Sequence, residues 1–314
     1  MQYGASEGIP ALREAVAARR RVDPEAVLIT NGAAEANYLA MAASLEATGG
    51  ESFLTTDPVY PYYPARARLL GARTTPVEVG PEGDLDPHAV RERATSDTAA
   101  IVVNTPNNPT GAVYDAATMA ELAEIAEDVG AYLISDEVYH HFDYSGRFRS
   151  ASTLASERVF TTQAMSKSMA ITGFRVGYLI APEAIRSAVR RYHLLINVTS
   201  SRPAQTAVLH ALENTEPSYY RDRRRIMQTR IETFVEAVHD VGGEVVVPDG
   251  GFYVMARFPG HSGTLATVER LIEACGIVAM PGNPFGTSTN EWLRFSLLTH
   301  RVDEAVTRLR AYFG

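Results

Sequence analysis

Two stretches carry most of the fold information. The first is Ala100-Ile101-Val102-Val103-Asn104-Thr105-Pro106-Asn107-Asn108-Pro109-Thr110-Gly111. The second is Tyr132-Leu133-Ile134-Ser135-Asp136-Glu137-Val138-Tyr139. Each starts as a short apolar run, the pattern of a strand covered on both faces, and stops abruptly at polar and turn-forming residues. Between them, Ala116 to Val129 has helical periodicity. Strand, helix and strand in this order predict parallel pairing. Working outward, further strands are expected at Val27–Thr30, Ser52–Thr55, Thr74–Val79, Val159–Thr162 and Gly177–Ala181. Helices are expected at Ile9–Arg21, Ala33–Ala47 and Tyr62–Leu70.

After Pro182 the pattern changes. Helices are expected at Glu183–Leu195, Ala204–Glu213, Pro217–Val241, Leu265–Ala274 and Val302–Phe313. Strands are expected at Glu244–Val247, Phe252–Arg257, Ile277–Met280 and Trp292–Leu297. The chain thus reads as an α/β protein with a large domain, 1–223, and a smaller α+β domain, 224–314. The boundary falls inside the long helix near Arg224.

The 314 residues carry a net charge of −8, with 46% hydrophobic and 21% charged residues, an ordinary globular balance that argues against a nucleic-acid binder. No apolar run is long enough for a membrane span, and the first residues lack a basic-then-apolar signal. A single cysteine, Cys275, excludes an internal disulfide and fits a reducing, cytoplasmic setting. Cys275 is expected in a core. Arg221 and Arg223–Arg225 are expected on a solvated helix face. No metal site is expected, since adjacent His140 and His141 should point in different directions.

Lysine and arginine total 29, yet Lys167 is the only lysine. A bias toward arginine should replace every lysine that arginine can replace. The survivor is therefore a candidate nucleophile or base, because lysine can lose its proton and attack a carbonyl. Other candidates lie at the carboxyl ends of strands, where open sheets bind ligands. Asn31-Gly32-Ala33-Ala34 opens a helix whose free N–H groups suit a phosphate. The aromatic loop from Asp57 to Pro64 offers Tyr60 to a flat ring. Asp136, at the end of a buried strand, needs a partner, either an arginine or a cationic ring nitrogen. Ser166, Lys167 and Arg175 combine phosphate donors with an amine. Arg294, inside an apolar strand, needs a carboxylate from the protein or from a ligand.

NNPTG (107–111), DEVY (136–139), SK (166–167) and GFRVG (173–177), in this order, resemble the class I/II aminotransferases, pyridoxal-phosphate (PLP) enzymes of fold type I. The resemblance runs from Tyr3 to the last helix. It implies a mainly parallel central sheet flanked by helices, a smaller C-terminal domain, and PLP as cofactor. It implies that Lys167 forms the Schiff base with the cofactor and, once freed by the amino acid, acts as the base. Asp136 would pair with the ring nitrogen, Tyr139 and Asn108 with the phenolic oxygen, and Tyr60 with the ring face. Ala33, Ala34, Ser166 and Arg175 would hold the phosphate. Tyr3 would reach the phosphate of a neighbouring subunit, which implies a homodimer. Arg294 would bind the substrate α-carboxylate, and Asn108 would also contact the substrate. The implied reaction moves an amino group from an L-amino acid to a 2-oxo acid with ping-pong kinetics. Alternatives are β-elimination, decarboxylation or cyclisation on the same cofactor, or a non-catalytic shortened relative.

Three departures stand out. Family members carry a segment before the tyrosine motif that completes the small domain and part of the substrate gate, and here Met1 nearly abuts the motif. Ala164 stands where many relatives have a hydroxyl. No arginine matches the one that reads a side-chain carboxylate, Arg202 being out of register, so aspartate is not the expected substrate.

Overall fold

A computed structural model describes residues 3–314. The large sheet contains seven strands: β1 (Val27–Thr30), β2 (Ser52–Asp57), β3 (Arg73–Glu78), β4 (Thr98–Asn104), β5 (Tyr132–Asp136), β6 (Val159–Ala164) and β7 (Gly177–Ile180). Their order is β1-β7-β6-β5-β4-β2-β3. The five strands from β3 to β6 are parallel, and β7 runs antiparallel to both β6 and β1. The chain is thus doubly wound with one reversed strand. β4 and β5 are buried along their whole length, as their apolar runs require.

Helices close both faces: α1 (Pro10–Arg20), α2 (Ala33–Thr48), α3 (Tyr62–Leu69), α4 (Pro87–Arg93), α5 (Ala116–Asp128), α6 (Met165–Ser168), α7 (Arg186–Asn197) and α8 (Arg202–Asn214). The alanine-rich α2 lies across the sheet centre, so its small side chains let it sit close to β4–β7. α5 begins where Asp115 caps Thr118 N–H at 2.9 Å. The short α4 was not expected. Its signal, Asp86 capping His88 N–H ahead of Pro87, is present, but Val90 is its only buried residue.

The second sheet has the order β10-β11-β9-β8, all antiparallel: β8 (Glu244–Val246), β9 (Tyr253–Arg257), β10 (Met280–Pro281) and β11 (Leu293–Ser296). It packs with α9 (Pro217–Asp240), α10 (Leu265–Cys275) and α11 (Val302–Phe313) around Phe234, Val254, Leu271, Phe295 and Leu309. The strand expected at Ile277–Met280 starts only at Met280. Ile277 and Ala279 instead turn into this core beyond the left-handed Gly276 cap of α10. Cys275 is only partly buried, and its thiol donates to Leu271 O. Arg221, Arg223 and Arg225 are exposed, but Arg224 turns inward and donates to Asp143 O at 3.1 Å.

Candidate active site

One cleft, of about 260 Å³, brings together Ala33, Ala34, Tyr60, Asn108, Asp136, Tyr139, Ser166, Lys167 and Arg175. It opens beyond the carboxyl ends of β4, β5 and β6, the position expected for an open parallel sheet. Arg294 reaches it from the second sheet. Tyr3 does not line it and is exposed in the single chain.

Asp136 ends β5 and is buried. Its Oδ2 accepts from Asn37 Nδ2 at 2.7 Å and from the Tyr63 hydroxyl, and its Oδ1 from Val138 N–H at 3.2 Å. Among the described residues no arginine or lysine pairs with it, so the protein does not supply the cation that this carboxylate calls for. Burial pushes its pKa up, against the pull of Tyr63, Asn37, Val138 N–H and, more distantly, Arg66. Asn37 is itself held by the Thr162 hydroxyl, which donates to Asn37 Oδ1 at 2.7 Å. Tyr139 is buried beside Tyr253, and burial first, then that neighbour, hold its phenol well above its ordinary pKa.

Lys167 sits on the one-turn α6, its Nζ 6.0 Å from the Tyr139 ring centre and 5.8 Å from that of Phe252. Across from it, α2 starts at Ala33 after Gly32, whose φ of 77° is left-handed. The first N–H groups of α2 have no partner inside the helix and face the cleft, a cradle for an anion. A Cβ on Gly32 would stand 2.6 Å from Arg175 Nη2. Arg175 itself adopts φ 55° and donates to Thr172 O at 3.0 Å and to Asn31 O at 3.4 Å, which aims its guanidinium along the cradle. Ser166 is buried on the same side.

Arg294, on β11, donates from Nη1 to Asn108 Oδ1 at 2.8 Å, joining the second sheet to the loop after β4. Its guanidinium lies 4.1 Å from the Tyr253 ring centre and 4.8 Å from that of Phe285. Its Nε–H is buried without a partner, and no carboxylate of the described residues reaches it. Burial lowers its pKa, opposed by Tyr253, Tyr139 and Tyr60.

Two residues that hold Asp136 escaped the sequence reading. Asn37 left one trace, an amide inside an otherwise small and apolar helix. Tyr63 was hidden among the tyrosines of the 57–64 loop. Asn104 is a third: its amide donates to Asp136 O at 2.9 Å while its Oδ1 accepts Asn108 N–H at 2.8 Å, which locks the two strand ends together. The two histidines also differ from expectation. The short helical turn at His140–Phe142 brings the ring centres of His140 and His141 to 3.9 Å, their planes tilted by 39°, rather than splaying them apart. Arg202 is exposed on α8.

The sequence profile described as "Aminotransferase class I and II" matches residues 1–310. The chain belongs to the class I and II aminotransferases. It is 34% identical to the probable aspartate/prephenate aminotransferase of Thermus aquaticus, over 98% of this chain and 82% of that protein. It is 33% identical to the aspartate/prephenate aminotransferase of Thermus thermophilus, over 100% of this chain and 83% of that one. The fold superposes with a TM-score of 0.92 on the Thermus thermophilus aspartate aminotransferase solved with maleate, at 32% identity and with 99% and 83% of the two chains covered. An aromatic aminotransferase from Pyrococcus horikoshii gives 0.90 at 27% identity, covering 99% and 87%. As an aminotransferase of this family, the protein uses PLP and acts on amino acids and 2-oxo acids. The cleft fits that cofactor. It offers a buried carboxylate without a cation, a helix-start cradle beside Gly32 and Arg175, and one lysine between them. No helix of the described residues is long and apolar enough to cross a membrane.

Proposed function

We propose that Lys167, Asp136 and Arg294 are the working centre of transamination between an L-amino acid and a 2-oxo acid. The observation that carries this reading is the pair of uncompensated buried groups in one cleft, Asp136 without a cation and Arg294 without a carboxylate. They would meet a cationic cofactor ring at one end and a substrate carboxylate at the other. PLP, when bound, supplies the cationic ring that takes up the electron pair left on the substrate's α-carbon. Asp136, fixed by Asn37, Tyr63 and Val138 N–H, keeps the ring nitrogen protonated. Arg294 holds the α-carboxylate, and Asn108 fixes the guanidinium. Because Asn108 Oδ1 is taken by Arg294, its amide N–H groups remain for the phenolic oxygen beside Tyr139. Tyr60 covers the ring face. Ala33 and Ala34 N–H, Ser166 and Arg175 hold the phosphate. Lys167 Nζ would take the proton from the substrate α-carbon and deliver it to the cofactor carbon that carries the amino nitrogen.

Arg66 also lines the cleft, near enough for its charge to act on Tyr60 and Asp136, and it has no acidic partner among the described residues. It favours substrates with a second acidic group, in keeping with the maleate in the Thermus relative. The working form is a cytoplasmic homodimer in which Tyr3 serves the neighbouring site. Leu194, Leu195, Ile196 and Val198 at the end of α7, and Phe174, are exposed apolar residues, which supports such pairing. The packing of α9 supports a domain boundary near Arg224. Met227 joins Tyr139 and Phe252, whereas Ile231, Phe234 and Val238 join the core of the second sheet.

The test is an absorption titration of the purified protein with PLP. Borohydride should fix the cofactor to Lys167. An amino acid should shift the spectrum, and a 2-oxo acid should restore it, with dicarboxylic pairs most effective. Ammonia release without an acceptor, or reduction onto any other residue, would overturn the reading.

A further inference from the structure

His193 on α7 is fully buried, and both of its ring nitrogens face oxygen atoms. Nδ1 lies 2.8 Å from Glu35 Oε1, and Nε2 lies 2.8 Å from the Ser6 carbonyl oxygen. A carbonyl oxygen can only accept, so Nε2 carries a proton. Glu35 Oε2 accepts from Asn31 N–H and, at 3.1 Å, from Asn197 Nδ2, as a carboxylate does. Nδ1, which faces the other oxygen of that carboxylate, therefore carries a proton as well. A neutral ring has one proton and would set a nitrogen lone pair against an oxygen. Turning the ring over would set carbon against both oxygens. The ring is an imidazolium paired with a carboxylate.

This pair stands at the start of α2. Glu35 lies in the first turn of that helix, two positions after Ala33. A free carboxylate there competes with an incoming anion, because it can take up the unpaired N–H groups and the positive end of the helix dipole. Here it is turned aside, with His193 on one oxygen and Asn31 and Asn197 on the other. Among the described residues no arginine pairs with it. Arg190, one turn before His193, is engaged by Glu25 at 2.7 Å and Glu7 at 3.9 Å. The Asn31 peptide is gripped from both sides, its N–H by Glu35 and its oxygen by Arg175 Nη2 at 3.4 Å. The Nε2 bond reaches the stretch that leads back to Tyr3. That stretch is also tied by the Thr199 hydroxyl to Ala5 O at 3.1 Å and by Ile29 N–H to Glu7 O at 2.9 Å.

We infer that His193 is a positioning residue for the cofactor phosphate, acting through Glu35. Its charge offsets the carboxylate, and its Nδ1–H keeps Glu35 off the first N–H groups of α2. Its Nε2–H fastens the Ser6 stretch to the same helix start. The inference rests on the reading of that helix start as the phosphate cradle.

The test is equilibrium dialysis with PLP and with pyridoxal, which lacks the phosphate. His193→Gln keeps a donor and removes the charge. It should weaken PLP about tenfold or more while pyridoxal changes by less than about twofold. His193→Gln combined with Glu35→Gln removes both charges and should recover most of the loss, whereas damage to packing alone would persist or grow. Equal losses for PLP and pyridoxal, no recovery in the double variant, or unchanged PLP affinity in folded His193→Gln would each overturn the inference. A parent that binds PLP no better than pyridoxal would overturn the cradle reading, and the inference with it. Neutron diffraction of the parent at neutral pH needs no variant and serves if His193→Gln fails to fold. Deuterium is expected on both ring nitrogens of His193, and one bare nitrogen would overturn the inference.

Discussion

Gly177→Ala tests whether the phosphate cradle is set by close approach of two backbone segments. Gly177 opens β7 and lies under the turn that starts α2. An added Cβ would stand 2.6 Å from the Gly32 carbonyl carbon, 2.7 Å from Gln163 O and 2.8 Å from the Ala33 nitrogen. All three are backbone atoms, so no side chain can swing aside. Ordinary contact begins near 3.4 Å, so the turn would have to retreat by about 0.6–0.8 Å, an overpacking that costs about 1–3 kcal/mol. The same retreat moves the Ala33 and Ala34 N–H groups from their places. Losing one hydrogen bond to a charged phosphate costs about 1.5–3 kcal/mol, or roughly 10- to 150-fold in affinity. Urea unfolding of the apoprotein reads the first quantity, and equilibrium dialysis of PLP reads the second. Gly173→Ala is the control, because a Cβ there meets nothing within 4 Å. If Gly177→Ala binds PLP as tightly as its parent, or if Gly173→Ala costs as much, the close-approach argument is wrong.

Two further outcomes are expected. The folded carboxyl of Asp136 is raised above its unfolded value, so its contribution to stability is full at acid pH and is lost as pH rises through the folded value. Asp136→Asn should therefore make the apoprotein more stable than its parent at neutral pH, with the gain vanishing in acid, while PLP affinity falls. Urea midpoints that show a gain independent of pH would contradict this. Asn37→Leu removes the 2.7 Å donor to Asp136 and strands the Thr162 hydroxyl, so it should cost the apoprotein about 2–3 kcal/mol at neutral pH. An unchanged urea midpoint would refute it.

Much of the site was legible as residue types at the ends of predicted strands. A lone lysine, an aspartate ending a buried run, and an arginine inside an apolar strand are each costly unless chemistry retains them, and cost is a local property that a sequence displays. The strand set was legible for the same reason, since periodicity and apolar runs are local. The short α4 and the two-residue β10 were not, because so few of their residues are buried. Nor could the partners be read. Asn37 and Tyr63 lie 99 and 73 positions before Asp136, and Asn108 lies 186 before Arg294. Either buried charge had a plausible partner among 28 arginines and 37 acidic residues. Only the tertiary structure showed that neither Asp136 nor Arg294 meets one among the described residues. The sequence determines which groups are expensive to bury, and the fold determines which of them remain unpaired, because pairing depends on distance in space.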